Sequence, residues 1–545
     1  MKPTNLLKNL DPLWLVLLGA FFFLPYLGSV HLFDWDEINF AESAREMILT
    51  GNYAQVQIDF QPFWEKPPLF FWLQVLAMKA FGINEFAARL PNAIAGIVTL
   101  LTLFFVGKRL YDKQFGFLWA LAYLGSVTPH LYFKSGIIDP IFNYFMFLSI
   151  VFLTRKQFLL AGLLAGLAIW TKGPVGAGIP LLTLGAVWAI NRFKPVLRLK
   201  DLFLFGLTAA TLGAGWVGFV AYTSGFGVVQ DFFAYLLRLL ATSEAGHGQP
   251  FYYHFVVVLI GAFPISIIAI RFLKIPAATA SQPDFKAWMV ALFWVVMVVF
   301  SVVKTKIVHY SSMTYFPLSF LAAYHLYLWQ KGEIVWKKSF TVLLISIGFV
   351  LCFLLAAVPL VGMYARRLAP YINDKFMVAN LKAPVPWSGY EWLFGVVYFG
   401  AICLVIFLLN RRKALAIRVL FFATAALMFG YSAVVVPKIE GYSQRTAIDF
   451  YESKAYQDVY VQPLGFKSYA HLYYGRKQPP TNPKSYDENW LLNGEVDKPV
   501  FFVARIDRYQ QYKSNPNLEF IKEENGFVYL RRKPDYKRIN ESLSR

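Results

Sequence analysis

Cysteine and charge are both scarce in this 545-residue chain. Its two cysteines, Cys352 and Cys403, lie in apolar runs, so neither a disulfide framework nor a Cys-type zinc site is available. Charged residues make up only 15% of the chain, against roughly 25% in typical soluble domains. That is too little to build a water-facing surface, and it excludes an ordinary soluble enzyme, a coiled coil and a disordered chain. Acids are the scarcer sign, 32 against 52 Lys and Arg, for a formal net charge of +20. In a soluble protein that excess would point to nucleic acid. Here the positions of the bases give a different reading, and no nucleic-acid partner is expected.

Apolar sequence is what the chain has in quantity: 57% hydrophobic residues, 18% aromatic, mean hydropathy +0.48. Charge-poor runs of spanning length or slightly less occur near 13–31, 90–107, 114–133, 136–153, 157–171, 173–191, 202–223, 251–270, 287–303, 308–330, 339–362, 392–410 and 415–437. The expectation is a mainly α, polytopic membrane protein with about 13 transmembrane helices. The first run has no small-residue cleavage site after it and reads as a retained helix. The apolar stretch 68–83 is short, and Pro67, Pro68 and Lys79 mark it as interfacial. Alternate loops are basic, for example Lys108/Arg109/Lys113, Arg192/Lys194/Arg198/Lys200 and Arg411/Arg412/Lys413/Arg418. By the positive-inside rule the N-terminus is then cytoplasmic, and an odd number of spans puts the C-terminal segment outside.

Two domains are therefore expected: a membrane domain over 1–437, whose first outer loop 32–89 carries juxtamembrane helices, and a small α/β extracytoplasmic domain over 438–545. The tail has no spanning run. Strand-like stretches at Val500–Ile506 and Gly526–Arg531 alternate with turn-rich pieces such as Gln478-Pro479-Pro480-Thr481-Asn482-Pro483.

The first outer loop holds the chemistry. Seven acids (Asp34, Asp36, Glu37, Glu42, Glu46, Asp59 and Glu65) stand there with Arg45 as the only base up to Glu65. Glu37 to Leu49 suits an amphipathic helix with Asp36 at or near its N-cap. Asp36 is either that cap or a carboxylate whose apolar neighbours, Trp35 and Ile38, tune it for base chemistry. Next comes Phe63-Trp64-Glu65-Lys66-Pro67-Pro68. Aromatics beside an acid and a base suit a sugar phosphate, although an interfacial aromatic belt with a snorkelling lysine has the same composition. Asp139-Pro140 opens a span, as a helix start or as an intramembrane acid with a partner. Lys172, Arg238, His247 and the run Val303-Lys304-Thr305-Lys306-Ile307-Val308-His309-Tyr310 place bases at outer mouths. Such bases run against the orientation trend. Binding of an anionic lipid headgroup accounts for them, as does snorkelling.

Asp36-Glu37-x-x-x-Ala41-Glu42-x-x-Arg45-Glu46-Met47, followed by Glu65-Lys66-Pro67 and Asp139-Pro140, resembles the polyprenyl-phosphate-dependent GT-C glycosyltransferases. The nearest likeness is to the lipid A 4-amino-4-deoxy-L-arabinose transferases and the protein O-mannosyltransferases. The resemblance implies a multi-pass bacterial inner-membrane enzyme, monomeric, with a periplasmic C-terminal domain. Such an enzyme takes a pentose or hexose from a polyprenyl-phosphate carrier and passes it to lipid A, another lipid or a protein. It implies Asp36 as the catalytic carboxylate with Glu37 and Asp139 nearby, and Glu65 and Lys66 in the same cavity. Lys172, Arg238, Lys304, Lys306 and Tyr310 are then the contacts to carrier phosphate and sugar. In some relatives a divalent metal sits by the Glu65-type residue with a histidine of the later loop, here His247. Aminoarabinose transferases commonly have Arg-Tyr where this chain has Asn39-Phe40, which with Trp64 complete the expected substrate lining. That change removes a bidentate anion donor and a phenol, leaving sugar and acceptor open. A surface-polysaccharide transferase shares the donor. A secondary transporter is the reading of another class, but its mid-membrane acids and related halves are not found.

Overall fold

A computed structural model describes residues 11–63, 65–241, 248–275 and 284–534. The chain is mostly helical, with a small sheet near its C-terminal end. Each of the 13 apolar segments contains helix, but the helices differ in length. Among the described residues, Glu85–Leu110, Leu199–Ser224, Phe285–Val302, Lys338–Met363 and Lys413–Ser443 are long and apolar enough to cross a membrane. Tyr253–Gly261 and Ile265–Phe272 make a sixth if their 110° bend is counted within one span. Six further apolar helices have only 10–17 residues. Two of these, Asp139–Thr154 and Phe158–Lys172, carry at their ends charged residues of the site described below. The count of about 13 spans is therefore larger than the number of full-length apolar helices.

Small residues let the helices approach closely. Leu199–Ser224 packs along Phe158–Lys172, where a Cβ on Gly162 would lie 2.4 Å from the Phe205 carbonyl oxygen. The bundle core runs through Phe104, Trp119, Phe147, Phe316 and Phe320.

Loop 32–89 is not a solvated acidic strip. Its helix Asp36–Thr50 buries every side chain from Glu37 to Met47, so it is not amphipathic, and Glu37, Glu42 and Glu46 all lie inside. Arg45 forks both oxygens of Glu42 at 2.7 and 2.6 Å and donates to the Lys477 carbonyl. Glu46 accepts the Phe60 N–H at 2.8 Å. Burial, with the neighbouring Glu42 charge, raises the Glu46 carboxyl to about 9. The 68–83 stretch forms the helix Leu69–Phe81, whose Phe70 and Phe71 hold Phe40 edge-on.

The C-terminal sheet contains β3 (Tyr460–Leu464), β4 (Val500–Arg505), β5 (Leu518–Glu524) and β6 (Phe527–Arg532), in the order β3-β4-β6-β5; β1 (Gln57–Ile58) and β2 (Gln61–Pro62) form a two-stranded ribbon in loop 32–89. β3 runs parallel to β4, and the remaining pairs are antiparallel. Asn525-Gly526, both at positive φ, make the two-residue turn between β5 and β6. One face of the sheet, with Leu464, Phe502 and Val528, packs on Leu491 and Leu492. Val503, Phe527 and Tyr529 share a core with Ile38, Phe70 and Tyr473, so the tail and loop 32–89 bury one another. The Tyr474 hydroxyl accepts the Leu32 N–H at 2.7 Å, Arg476 donates to the Ile83 carbonyl, and Lys477 meets Asp59 at 2.5 Å.

Glu46 sets a pH dependence. Unfolded, its carboxyl ionises near 4.5; folded, it stays protonated to about 9, so folding loses stability as pH rises between those values. Glu46→Gln removes that loss. Its melting temperature in detergent should exceed wild type at pH 8 by more than it does at pH 5. An equal offset at both pH values would show that Glu46 is ionised in the fold.

Candidate active site

Glu37 and Asp36 are neighbours in sequence and lie about 100° apart round the helix. Glu37 points inward. Arg89 donates to both its oxygens at 2.9 and 2.7 Å, and the Phe33 and Gly136 N–H groups add two more bonds. Burial alone would raise this carboxyl, but the Arg89 charge and those donors hold it below the usual carboxylate range. Arg89 also donates to the carbonyls of Leu27, Val30 and His31. Asp36 is the first helical residue and Trp35 stands at the N-cap, so the Asp36 carboxylate does not cap the helix. Its side chain keeps 41% exposure.

A charged cluster meets Asp36. Asp139 opens the helix Asp139–Thr154 with Pro140 beside it, and its carboxylate turns sideways instead of capping. Lys172 closes Phe158–Lys172, where Gly173 takes a φ of +86° that a side chain would strain. The Lys172 ammonium lies 2.6 Å from Asp139 Oδ1 and 5.2 Å from the Tyr310 ring centre. His309, in the short 3-10 helix Val308–Thr314, places Nε2 3.6 Å from Asp36 Oδ2 and 3.7 Å from Asp139 Oδ2. Lys66 completes the group. Burial pushes its ammonium below the usual lysine range and Lys172 adds to that, while Glu65, Asp36 and Asp139 oppose it. Glu65 lies 3.9 Å from Lys66 and accepts the Tyr235 hydroxyl at 3.2 Å. Lys66 and Arg238 both lie by the Tyr235 ring, at 5.5 and 6.0 Å.

A narrow cleft starts at Lys66. Val56 and Phe63 of loop 32–89 form one wall; Trp216, Val229 and Phe232, from the helices Leu199–Ser224 and Phe226–Ala241, form the other. It has a cationic end and apolar sides. Opposite, the tail supplies a rim. Lys467 lies 4.9 Å over the exposed Trp35 ring, and Tyr469 packs edge-on to it. Burial against this rim raises the Asp34 carboxyl to about 6, with Ser468 and the Tyr469 backbone opposing and Asp36 adding to the rise.

Of the residues singled out from sequence, Asp36, Glu65, Lys66, Asp139, Lys172, Arg238 and Tyr310 come together. Others do not. Glu37 is taken up by Arg89, Phe40 is core, and Asn39 is buried on the same helix. Lys304 is exposed, and Lys306 is buried with its ammonium on the Val303 carbonyl at 2.7 Å. Trp64 and His247 lie outside the described residues. Among the described residues no group of three or more His, Cys, Asp or Glu is arranged to hold a metal, and Glu65 faces Lys66 and Tyr235. His309 and Asp34 stand in the sequence only as one of the outer-mouth bases and one of the loop acids, without a role, and Tyr235 and Arg89 carry no mark there. A histidine next to Tyr310 at a helix mouth is a usable signal.

Comparison with known proteins agrees with the resemblance read from the motifs. The family described as dolichyl-phosphate-mannose-protein mannosyltransferase matches residues 65–219. An uncharacterized protein of Aquifex aeolicus is 27% identical over 319 residues, 58% of this chain and 73% of its own. An undecaprenyl phosphate-alpha-4-amino-4-deoxy-L-arabinose arabinosyl transferase of Erwinia tasmaniensis is 26% identical over 336 residues, 57% of this chain. The match spans 59% of that transferase, about three fifths of its length. The crystal structure of ArnT from Cupriavidus metallidurans bound to undecaprenyl phosphate superposes with a TM-score of 0.75 over 96% of this chain and 98% of its own, at 18% identity. The apo form gives 0.72, at 17% identity over 95% and 97% of the two chains. This chain therefore has the ArnT fold, is a polytopic membrane protein, and resembles the polyprenyl-phosphate-dependent GT-C glycosyltransferases.

The geometry separates two aspartates by their effect on stability. Lys172→Ala leaves the 4%-exposed Asp139 without its cation and should cost about 3 kcal/mol. Asp36→Asn should leave thermal stability in detergent unchanged, because among the described residues Asp36 makes only the longer contact to His309. Equal destabilisation by the two substitutions would contradict the assignment of Asp139 as the buried partner.

Proposed function

We propose that this chain is an inverting glycosyltransferase of the membrane. It moves a pentose or hexose from a polyprenyl-phosphate carrier to an envelope acceptor, lipid A or a related lipid, at the outer face. The observation that carries the reading is the carboxylate of Asp36 set among Lys66, Lys172 and His309, at the head of an apolar cleft. The carrier chain lies along Trp216 and Phe232, and its phosphate meets Lys66, with Arg238 at the same Tyr235 ring. The acceptor oxygen attacks the sugar C1 from the Asp36 side. The phosphate leaves with its growing charge met by cations already in place, which is where most of the rate enhancement is expected to arise. Because the donor is already activated, no nucleotide is required there. Asp139, held by Lys172, keeps the far side of the cluster fixed. The rim of Trp35, Lys467 and Tyr469 lies where an acceptor would come in.

The basic alternate loops support a cytoplasmic N-terminus. The membrane part is then 1–437, with 438–545 on the periplasmic side of a bacterial inner membrane, and the chain acts as a monomer. The match of residues 65–219 to the mannosyltransferase family favours a second reading, in which the acceptor is a protein.

Asp36→Asn and Lys66→Ala should each lower sugar transfer from a tritiated polyprenyl-phosphate glycoside by about 100-fold or more, with expression unchanged. Lys66→Ala should also weaken donor binding, which Asp36→Asn should spare. Wild-type transfer rates in purified Asp36→Asn protein would remove Asp36 from the reaction.

A further inference from the structure

Between Asp36 and Asp139 stands an imidazole that the displacement above does not use. His309 is 14% exposed, and its Nε2 is nearly equidistant from the two carboxylates, at 3.6 and 3.7 Å. Both gaps are just beyond hydrogen-bond length and can close when substrate fills the site. Asp139 already has a cation, since Lys172 holds its Oδ1. Its Oδ2, buried without a hydrogen-bond partner, faces His309. Asp36 and Asp139, with Lys66, Lys172, the Tyr310 ring and His254, surround the imidazole. Lys172 already supplies the cation of Asp139, so the imidazole is left as a hydrogen-bond partner that Asp139 Oδ2 and Asp36 can share.

The charges of the site point the same way. Asp36, Asp139 and Glu65 stand against Lys66, Lys172 and Arg238. A donor phosphodiester adds one negative charge. A phosphate acceptor would bring more beside Asp36, where Lys467, over the Trp35 and Tyr469 rings, is the further cation at the rim. On the Asp36 helix itself, Asn39 is buried and Phe40 is packed on Phe70 and Phe71, so neither brings a charge to the site. A hydroxyl acceptor adds no charge, but it must lose a proton.

We propose that His309 is a positioning residue that makes Asp36 a proton acceptor, and that the atom this chain glycosylates is a hydroxyl oxygen, not a phosphate oxygen. The inference rests on the transferase reading above and narrows its acceptor. In the step, the hydroxyl oxygen forms a bond to the sugar C1 as the bond from C1 to the phosphate oxygen breaks. The electron pair of that bond leaves with the lipid phosphate. The hydroxyl proton goes to Asp36 and on to His309 Nε2, where the imidazolium rests between Asp36 and Asp139.

The test uses the full chain in lipid vesicles, tritiated pentosyl and hexosyl polyprenyl phosphates, and an envelope extract as acceptor. The labelled product should resist mild acid, as an O-glycoside does and a glycosyl phosphate does not. His309→Gln keeps size and hydrogen bonding but cannot take the proton. It should lower kcat by about 100-fold or more while donor binding stays within about twofold. An acid-labile product, wild-type kcat in His309→Gln, or loss of donor binding in that variant would each overturn the inference while leaving the transferase reading standing. Failure of the wild-type protein to transfer either sugar to any component of the extract would instead overturn the reading beneath it.

Discussion

The fork between Arg89 and Glu37 fixes the rest of the site. It joins the start of the helix Glu85–Leu110 to the start of the helix Asp36–Thr50, and its remaining N–H groups hold the carbonyls that follow the first helix. Two buried charges with every Glu37 oxygen and several backbone groups satisfied make a rigid joint. Because Glu37 is locked inward, Asp36 has one direction to face, about 100° round the same helix. The acid pair is a division of labour. One carboxylate is spent on holding the helix, and the other is kept half-exposed for chemistry.

Around that joint, three parts of the chain with little sequence proximity meet. Loop 32–89 supplies Asp36 and Lys66, the short helices supply Asp139 and Lys172, and the 3-10 turn Val308–Thr314 supplies His309. The tail closes the opposite side through Lys467, Ser468 and Tyr469, while its sheet shares a core with the loop. A loop carrying seven acids would be expected to stay mobile in water. Here it is buried between a helical bundle and a sheet, with its carboxylates paired, protonated or turned into one cluster. That burial explains the raised Glu46 and Asp34 carboxyls, since desolvation disfavours their charged forms.

Much of this was legible in the sequence because membrane helices announce themselves by run length, and charged residues inside or beside such runs are too costly to be incidental. Asp36, Lys66, Asp139 and Lys172 stood out for that reason, and they converge. Two strands were visible as strand-like stretches at Val500–Ile506 and Gly526–Arg531, and they form at Val500–Arg505 and Phe527–Arg532. Other features were hidden. An acidic helix reads the same whether its acids face water or one another, so the burial of Glu42, Arg45 and Glu46 was invisible without the tail that covers them. Glu37 looked like a second catalytic acid because sequence adjacency says nothing about which way each side chain turns. Lys304 and Lys306 looked alike, yet one is exposed and the other points back to its own backbone. Helix lengths were not legible, because apolar composition does not show where a helix stops or bends, as the chain does between Gly261 and Ile265.

The central claim is that the Asp36 cluster and the cleft at Lys66 are the two ends of one donor site. Cryo-electron microscopy of the protein with a non-hydrolysable polyprenyl-phosphonate glycoside tests it most directly. The account predicts the phosphonate within hydrogen-bond reach of Lys66, the isoprenoid along Trp216 and Phe232, and the sugar C1 facing Asp36. A phosphonate bound away from Lys66, or a sugar with its anomeric carbon turned from Asp36, would contradict it.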